Sequence, residues 1–301
     1  MEKVFPPFRV DIAGAFCVPR ALKDAREQYR NGQISLHTMQ AIEDAEVRNL
    51  VGRLKSEGMK VVTDGGFRNR EFVENWDEYR CAVLEGFSHL TGVTGGDVLA
   101  KQHLPSPAEI LARILRATDA EQLKRDYPDR SLLTDEIAVQ FKRLLDELHD
   151  AGCRYIQFDG VHSVANDESV QLNNRVLQER PADMYVAFHA PTDMLIRLTG
   201  ADAYFLNYDW GHCDRSRLLW FIREEKSVFG FVLSRYPEEE ELDELQMKIE
   251  EVLRYIPLER FTLCLPDAGT FQTPLEPDEE KQWNTLRLGM QMAERLYGKG
   301  E

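Results

Sequence analysis

The sequence contains no apolar run approaching the roughly 20 residues that a bilayer-spanning helix needs. Its first ten residues, MEKVFPPFRV, lack the apolar core of a secretory signal. Cytoplasmic residence is therefore the expectation. Cysteine is sparse: Cys17, Cys81, Cys153, Cys213 and Cys264 are odd in number, widely spaced and nowhere in a Cys-x-x-Cys pair. That spacing gives no sign of a zinc knuckle or dithiol redox motif and fits a reducing compartment. Positive charge is also short, with 37 Lys and Arg against 52 Asp and Glu and a net charge of −15. Such a surface repels phosphate backbones and anionic lipid, which discounts nucleic acid and membranes as partners and leaves a small molecule. No internal repeat or low-complexity tract is present, and no Gly-x-Gly-x-x-Gly follows the first strand-like run, as a dinucleotide-binding open sheet would show.

What is present is a composition of 43% hydrophobic and 30% charged residues, the profile of a folded globular chain. Short β-rich runs alternate with longer stretches of helical period. The runs are Arg9–Ala13, Lys60–Thr63, Val98–Gln102, Arg154–Phe158, Met184–Phe188, Ala203–Asn207, Val228–Leu233 and Phe261–Leu265. Between them fall helical segments such as Leu36–Ser56, Pro107–Arg116, Thr134–Ala151, Asp214–Glu224, Leu242–Tyr255 and Asp278–Leu296, with Ser35, Thr134 and Asp278 as N-caps and Gly58 and Gly152 as stops. Eight strand–helix units in this length predict an α/β fold, a single (β/α)8 TIM barrel occupying residues 1–301 as one domain. The Gly86–Leu104 connection is expected to trim or cover the catalytic rim.

In such a barrel the chemistry lies where the strands end, so the residues that follow each run carry the most information. Ala15 and Phe16 follow the first run; Asp64, Gly66 and Arg68 the second; Asp159 and His162 the fourth. His189 follows the fifth, Asp209, Trp210, His212 and Cys213 the sixth, and Asp267 the eighth. Imidazoles, carboxylates and a thiol gathered at one rim make an active-site composition. Simpler roles compete: Asp159 as a helix cap, His189 as a donor to a core carbonyl, Arg68 and Arg70 as partners of Asp64 and Glu71.

Several of these segments are familiar. Asp11-Ile-Ala-Gly-Ala-Phe16, Val62-Thr-Asp-Gly-Gly-Phe-Arg68, Leu104-Pro-Ser-Pro107, the run from Ala151 to Asp159, the lone His189 and Leu265-Pro-Asp-Ala-Gly269 follow in order along the chain. Together they resemble the catalytic barrel of the cobalamin-independent methionine synthases and their shorter relatives, within the uroporphyrinogen decarboxylase-like group. The resemblance implies zinc held by a His-x-Cys pair, an acidic residue and a second cysteine. His189 matches the histidine and Asp209 falls at the acidic position, but Pro191 and Ala268 stand in place of the cysteines. It also implies a serine and two glutamates around an amino-acid substrate, where this chain has Ala15, Gly66 and Gly160.

The resulting expectation is a divergent enzyme acting on a small thiol- or sulfur-containing substrate, by alkyl or methyl transfer or by C–S or C–C lysis, and not a true methionine synthase. Asp159, His189, Asp209 and His212 are the catalytic candidates; Ala15, Phe16, Asp64, Gly66, Arg68, Trp210 and Asp267 are the substrate-binding ones. A rebuilt zinc or other divalent metal site would use His189, Asp209 and His212. A metal-free site would use His189 or His212 as general base, oriented by Asp159. The alternative from another class is a barrel that has lost catalysis and serves as a binding or regulatory subunit.

Overall fold

A computed structural model of the chain describes residues 5–68, 75–160, 164–208, 228–233, 242–265 and 279–298. Every one of the expected runs forms a strand, and all pairings are parallel. The first strand, β1 (Val10–Ile12), pairs with the last, β9 (Phe261–Leu265). From β9 the sheet continues through β8 (Val228–Leu233), β7 (Ala203–Tyr208), β6 (Tyr185–His189) and β5 (Tyr155–Asp159) to β4 (Gln102–Pro105), seven strands in all. β2 (Val61–Val62) pairs instead with β3 (Leu99–Ala100) in a separate two-stranded sheet. The run expected over Val98–Gln102 is thus divided at Lys101, with β3 turned to β2 and β4 turned to β5.

β1 and β4 are the two edges of the seven-stranded sheet, yet Lys101, just before β4, donates to Asp11 Oδ1 of β1 at 2.8 Å. Only a curled sheet brings its own edges together in this way. Along the curl, side chains alternate as the strand period requires. Asp11, Lys101, His103, Tyr155, Gln157, Asp159, His189 and Asn207 share the inner face. Ile12, Leu104, Phe158, Phe188 and Phe231 point outward into the apolar core beneath the helices. Phe158, for example, meets Phe141 of α6 (Arg130–Asp150) edge-on at 5.8 Å between ring centroids. Glycine is obligatory at Gly230, because a Cβ there would collide with the ring of Phe205 on neighbouring β7.

The closed eight-stranded barrel expected from the sequence is realised in part. β2 lies beside β1, and Phe16 N–H donates to Gly65 O at 2.9 Å beyond the strand ends, but among the described residues no ladder joins β1 to β2. The reason is local. β2 offers two residues before the chain bends into Gly65 and Gly66, both left-handed with φ of 70° and 72°.

The described helices follow their capping signals with one revision, at α6, while the Asp278 cap and the Asp214–Glu224 segment lie outside the described residues. Leu36–Ser56 forms the helix α2 that was expected, capped by Ser35 through Thr38 N–H at 3.1 Å, and Gly58 and Gly152 are left-handed stops. α6 starts earlier than expected, at an Asp129 cap, and Thr134 sits inside it with its hydroxyl on Ser131 O. The Gly86–Leu104 connection is not a rim cover. Its first half completes α3 (Trp76–Thr94), which packs beside α2 and α6, and its second half is β3 and β4. No helix among the described residues is long and apolar enough to cross a membrane.

The inner-face ion pair is the point of greatest leverage. Lys101 is fully buried and holds Asp11 Oδ1 and Ile12 O, while Asp11 also accepts from the Tyr155 hydroxyl. Lys101→Met strands a buried carboxylate and should cost about 3–5 kcal/mol in urea unfolding. Combining it with Asp11→Asn should recover part of that loss, because the uncompensated charge is then removed as well.

Candidate active site

β4, β5, β6 and β7 end side by side, and the polar residues of the inner face collect at these ends. In register, His103 stands level with Gln157, and Asp159 with His189. Asp159 is the hub. Its Oδ2 is 3.1 Å from His103 Nδ1, its Oδ1 accepts from Gln157 Nε2 at 2.5 Å, and His189 Nδ1 lies 3.9 Å away. The other nitrogen of His189, Nε2, is 2.9 Å from Asn207 Oδ1 on β7. His189 is buried, whereas about a third of the Asp159 side chain is accessible, so the cluster opens toward solvent at its carboxylate.

Partners fix the polarity of two groups. The Gln157 Nε2 atom faces two acceptors, Ala13 O at 2.6 Å and Asp159 Oδ1, so the amide must present its NH2 there and turn Oε1 elsewhere. Burial pushes the Asp159 carboxyl upward, but the charge and hydrogen bond of His103, then His189 and Gln157, outweigh it and hold the group below the usual carboxylate range. Asp159 is therefore ionised at neutral pH, and His103 donates Nδ1–H to it. With Nδ1–H directed at Asp159, His103 Nε2 is an acceptor when the ring is neutral and a donor when the ring carries the charge that acts on both carboxyls. Among the described residues, neither His103 Nε2 nor Gln157 Oε1, both buried, has a hydrogen-bond partner.

A second carboxylate approaches from the β2 turn. Asp64 Oδ1 accepts from Gly66 N–H at 2.9 Å, and Thr63 Oγ1 accepts from Gly65 N–H at 3.0 Å. Burial raises the Asp64 carboxyl above its ordinary value, against the lowering effects of Gly66 N–H and the charge of His103. Two carboxyls whose surroundings push them in opposite directions thus act on one imidazole, an arrangement suited to proton transfer.

Of the residues singled out from sequence, Asp159 and His189 are brought together, and Asp64 is coupled to them through His103. Asp159 is not the cap of the following helix. That helix, α7 (Asp167–Gln178), is capped by Asn166, whose side chain accepts from Ser169 N–H at 2.8 Å. Ala15 and Gly66 face each other so closely that a Cβ at Gly66 would sit 2.9 Å from Ala15 Cβ. Phe16 stacks against Trp283 at 5.6 Å. Arg68 pairs with Asp44 of α2, and Arg70 and Glu71 lie outside the described residues. Asp209, Trp210, His212 and Asp267 lie outside the described residues, as do His162, Cys213 and Ala268.

His103, Gln157 and Asn207 were not singled out, although the signal for His103 exists. The expected third strand stopped at Gln102; continuing its alternation from Lys101 by one more step puts His103 on the same face.

The described residues do not test the metal reading, because Asp209 and His212, two of its three expected ligands, lie outside them. Among the described residues no group of three or more His, Cys, Asp or Glu side chains is placed to hold a metal ion. His189 Nε2 is engaged by Asn207, and Pro191 starts the short helix α8 (Thr192–Leu195) with its carbonyl accepting from Met194 and Leu195 N–H at 3.0 Å. The described donors are nitrogen and oxygen with no thiolate, which does not fit a sulfur-rich zinc centre.

No protein-family model matches the chain. It is similar to the uncharacterized proteins YxjG and YxjH of Bacillus subtilis (strain 168). YxjG is 25% identical, with 99% of this chain and 97% of that protein covered. YxjH is 24% identical, with 97% and 95% covered. Among solved structures the chain superposes on a provisionally named vitamin-B12-independent methionine synthase from Listeria monocytogenes with a TM-score of 0.78 at 25% identity, covering 97% of this chain and 99% of that one. It also superposes on a B12-independent methionine synthase from Shewanella sp. W3-18-1 in complex with selenomethionine, with a TM-score of 0.72 at 16% identity and coverage of 96% and 97%. The Shewanella likeness is one of fold.

The raised Asp64 carboxyl has a consequence for stability. Its neutral form is favoured in the folded chain, so the stability linked to it is complete below the unfolded carboxylate range and is lost as pH rises through the raised folded value. Asp64→Asn keeps an acceptor for Gly66 N–H and cannot ionise. The variant should melt with the wild type near pH 3 and a few degrees above it at neutral pH, as a series of thermal melts across that range will show.

Proposed function

We propose, for this divergent member of the cobalamin-independent methionine synthase-like proteins, that the strand-end cluster is the active site of an enzyme acting on a small sulfur-containing substrate. In this reading a His103–Asp159 dyad takes the proton from the substrate thiol, a task that zinc performs by stabilising the thiolate when it is bound in the resembling family. The scaffold we infer is a (β/α)8 barrel with β2 completing the wall between β1 and β3.

The observation that carries the reading is the dyad. His103 Nδ1 is 3.1 Å from an Asp159 carboxylate held in its charged form, and Nε2 is left without a partner. Breaking the S–H bond forms N–H at Nε2 and leaves the electron pair on sulfur, while the Asp159 charge stabilises the imidazolium. The thiolate is then the nucleophile for methyl or alkyl transfer, or one partner in C–S lysis. In this reading Asp64, whose neutral form burial favours, would give a proton to the leaving group. The sulfur class is supported by the likeness to the Listeria monocytogenes protein named for methionine synthesis.

Homocysteine is not the expected methyl acceptor. The family's serine and glutamate positions are Ala15 and Gly66, and their mutual contact closes the space in which a glutamate side chain would start. A buried ammonium without a carboxylate partner costs several kcal/mol, roughly a thousandfold or more in affinity. Incubation with homocysteine and a polyglutamylated methyl-folate should accordingly yield no methionine above a His189→Ala control.

The thiol step is tested with ethanethiol as probe, following thiolate ultraviolet absorbance on titration into the protein at neutral pH. The wild type should ionise bound thiol, and chelator treatment should leave that signal unchanged. His103→Gln should bind the probe without ionising it. Ionisation that survives His103→Gln would overturn the dyad, and ionisation abolished by the chelator would return the site to a metal centre.

A further inference from the structure

We infer that Gln282 is a positioning residue of this site: from the last helix (Glu279–Tyr297) it clamps the segment 13–17 that follows β1, and through that segment it holds the β2 turn that carries Asp64. The inference rests on the proposed site and concerns how that site is assembled. Gln282 is buried, and both ends of its amide are spent on one short stretch of main chain. Its Oε1 accepts from Cys17 N–H at 2.7 Å, and its Nε2 donates to Ala15 O at 3.2 Å. Phe16, between those two residues, donates its N–H to Gly65 O at 2.9 Å, and the next residue of the turn, Gly66, donates its N–H to Asp64. At the other end of the segment Ala13 O accepts from Gln157, which also donates to Asp159. The segment thus touches the surroundings of both carboxyls.

Neither strand pairing nor close packing supplies the same hold. Among the described residues no ladder joins β1 to β2, so the bond from Phe16 to Gly65 crosses a seam that has no strand bonds. Behind the segment lies a cavity of about 240 Å³, with Phe16, Cys17, Leu50, Phe67, Gln282 and Trp283 in its wall. A filled wall would fix residues 13–17 by contact, whereas a void of this size leaves them room to shift. The ring of Phe16 meets Trp283 at 5.6 Å between centroids, a contact that orients a side chain but not the main chain on either side of it. When the clamp is lost, the segment relaxes into the cavity, the β2 turn follows it, and water reaches Asp64. The burial that favours the neutral carboxyl is then relieved.

A double-mutant cycle tests this by thermal melts at neutral pH on wild type, Asp64→Asn, Gln282→Met and the two combined. Methionine matches glutamine in size and makes neither hydrogen bond. In the wild-type background Asp64→Asn should raise the melting temperature by a few degrees, because an amide replaces a carboxyl that resists ionisation. In the Gln282→Met background that gain should fall to about one degree or less, since Asp64 is already solvated there. Near pH 3, where the carboxyl is largely protonated folded and unfolded, neither background should show a gain. A glutamine that only adds stability lowers the melting temperature equally with and without Asp64→Asn, and equal lowering overturns the inference. So does a wild type that gains nothing from Asp64→Asn. If Gln282→Met fails to fold, the cycle is read in Gln282→Asn, whose side chain is one methylene too short to reach both partners. Ethanethiol ionisation by the wild type separates this inference from the thiol reading. An additive cycle in a protein that ionises the thiol overturns the role of Gln282 and leaves the dyad standing. A coupled cycle in a protein that does not ionise it overturns the dyad and leaves Asp64 positioned by Gln282.

Discussion

The buried pair of Lys101 and Asp11 is the constraint on which the remainder of the structure depends. A lysine ammonium out of water is tolerable only when its partners are all supplied, and here they come from the opposite edge of the sheet: Asp11 Oδ1 at 2.8 Å and Ile12 O at 2.7 Å. The rings of Tyr155 and Phe205 lie 4.6 and 4.7 Å from the ammonium and add cation–π attraction. Because β1 and β4 are the opposite edges of a seven-stranded sheet, these contacts exist only if the sheet is curled. Curling in turn creates an inner face too narrow for a second apolar core. Gly230 shows how narrow: Phe205 occupies the space that a side chain at this one position of β8 would need.

A polar inner face would be unstable if its groups were left unmatched, and through most of its depth they are matched to one another. Asp11 is satisfied by Lys101, Tyr155 and its neighbouring amide, and Gln157 by Ala13 and Asp159. Matching lapses at two adjacent positions near the strand ends, His103 Nε2 and Gln157 Oε1. Stability selects against such atoms, and their survival beside an ionised carboxylate is what supports the proposed site. The departures from the resembling family concentrate on the same surface. Ala15 and Gly66 are one change seen from two sides, since neither position can regain a long polar side chain while the other fills the contact.

Legibility from sequence followed the range of the interactions involved. Strands and most helices are written in local period and caps, and their order alone gave the parallel α/β arrangement. The division of the third run at Lys101 was not legible, because it depends on two partners, β2 and β5, that are remote in the chain. The start of α6 was misplaced because Thr134 and Asp129 are both good caps in isolation, and only the chain path decides between them. His189 and Asp159 could be named from position at strand ends. Their relation could not, for the tighter partner of Asp159 proved to be His103, one residue beyond where the strand was expected to stop. Asp209 and His212, the other catalytic candidates, lie outside the described residues.

Burial alone does not decide how the two site carboxyls behave. It pushes both Asp64 and Asp159 upward, and it prevails for Asp64 because the opposing groups there are mainly backbone N–H donors, with one imidazole acting through its charge. At Asp159 two imidazoles and the Gln157 amide reverse the balance. The difference is set by strand register, which places His103, Gln157 and His189 around Asp159 while the Gly65–Gly66 turn surrounds Asp64 with main chain. In the proposed reading, an imidazole that acts on one charged carboxylate and on one that resists ionisation would take a proton at Nε2 with Asp159 behind it. That arrangement arises from nitrogen and oxygen donors alone, and it is consistent with a chain in which proline and alanine occupy the two cysteine positions of the resembling zinc site.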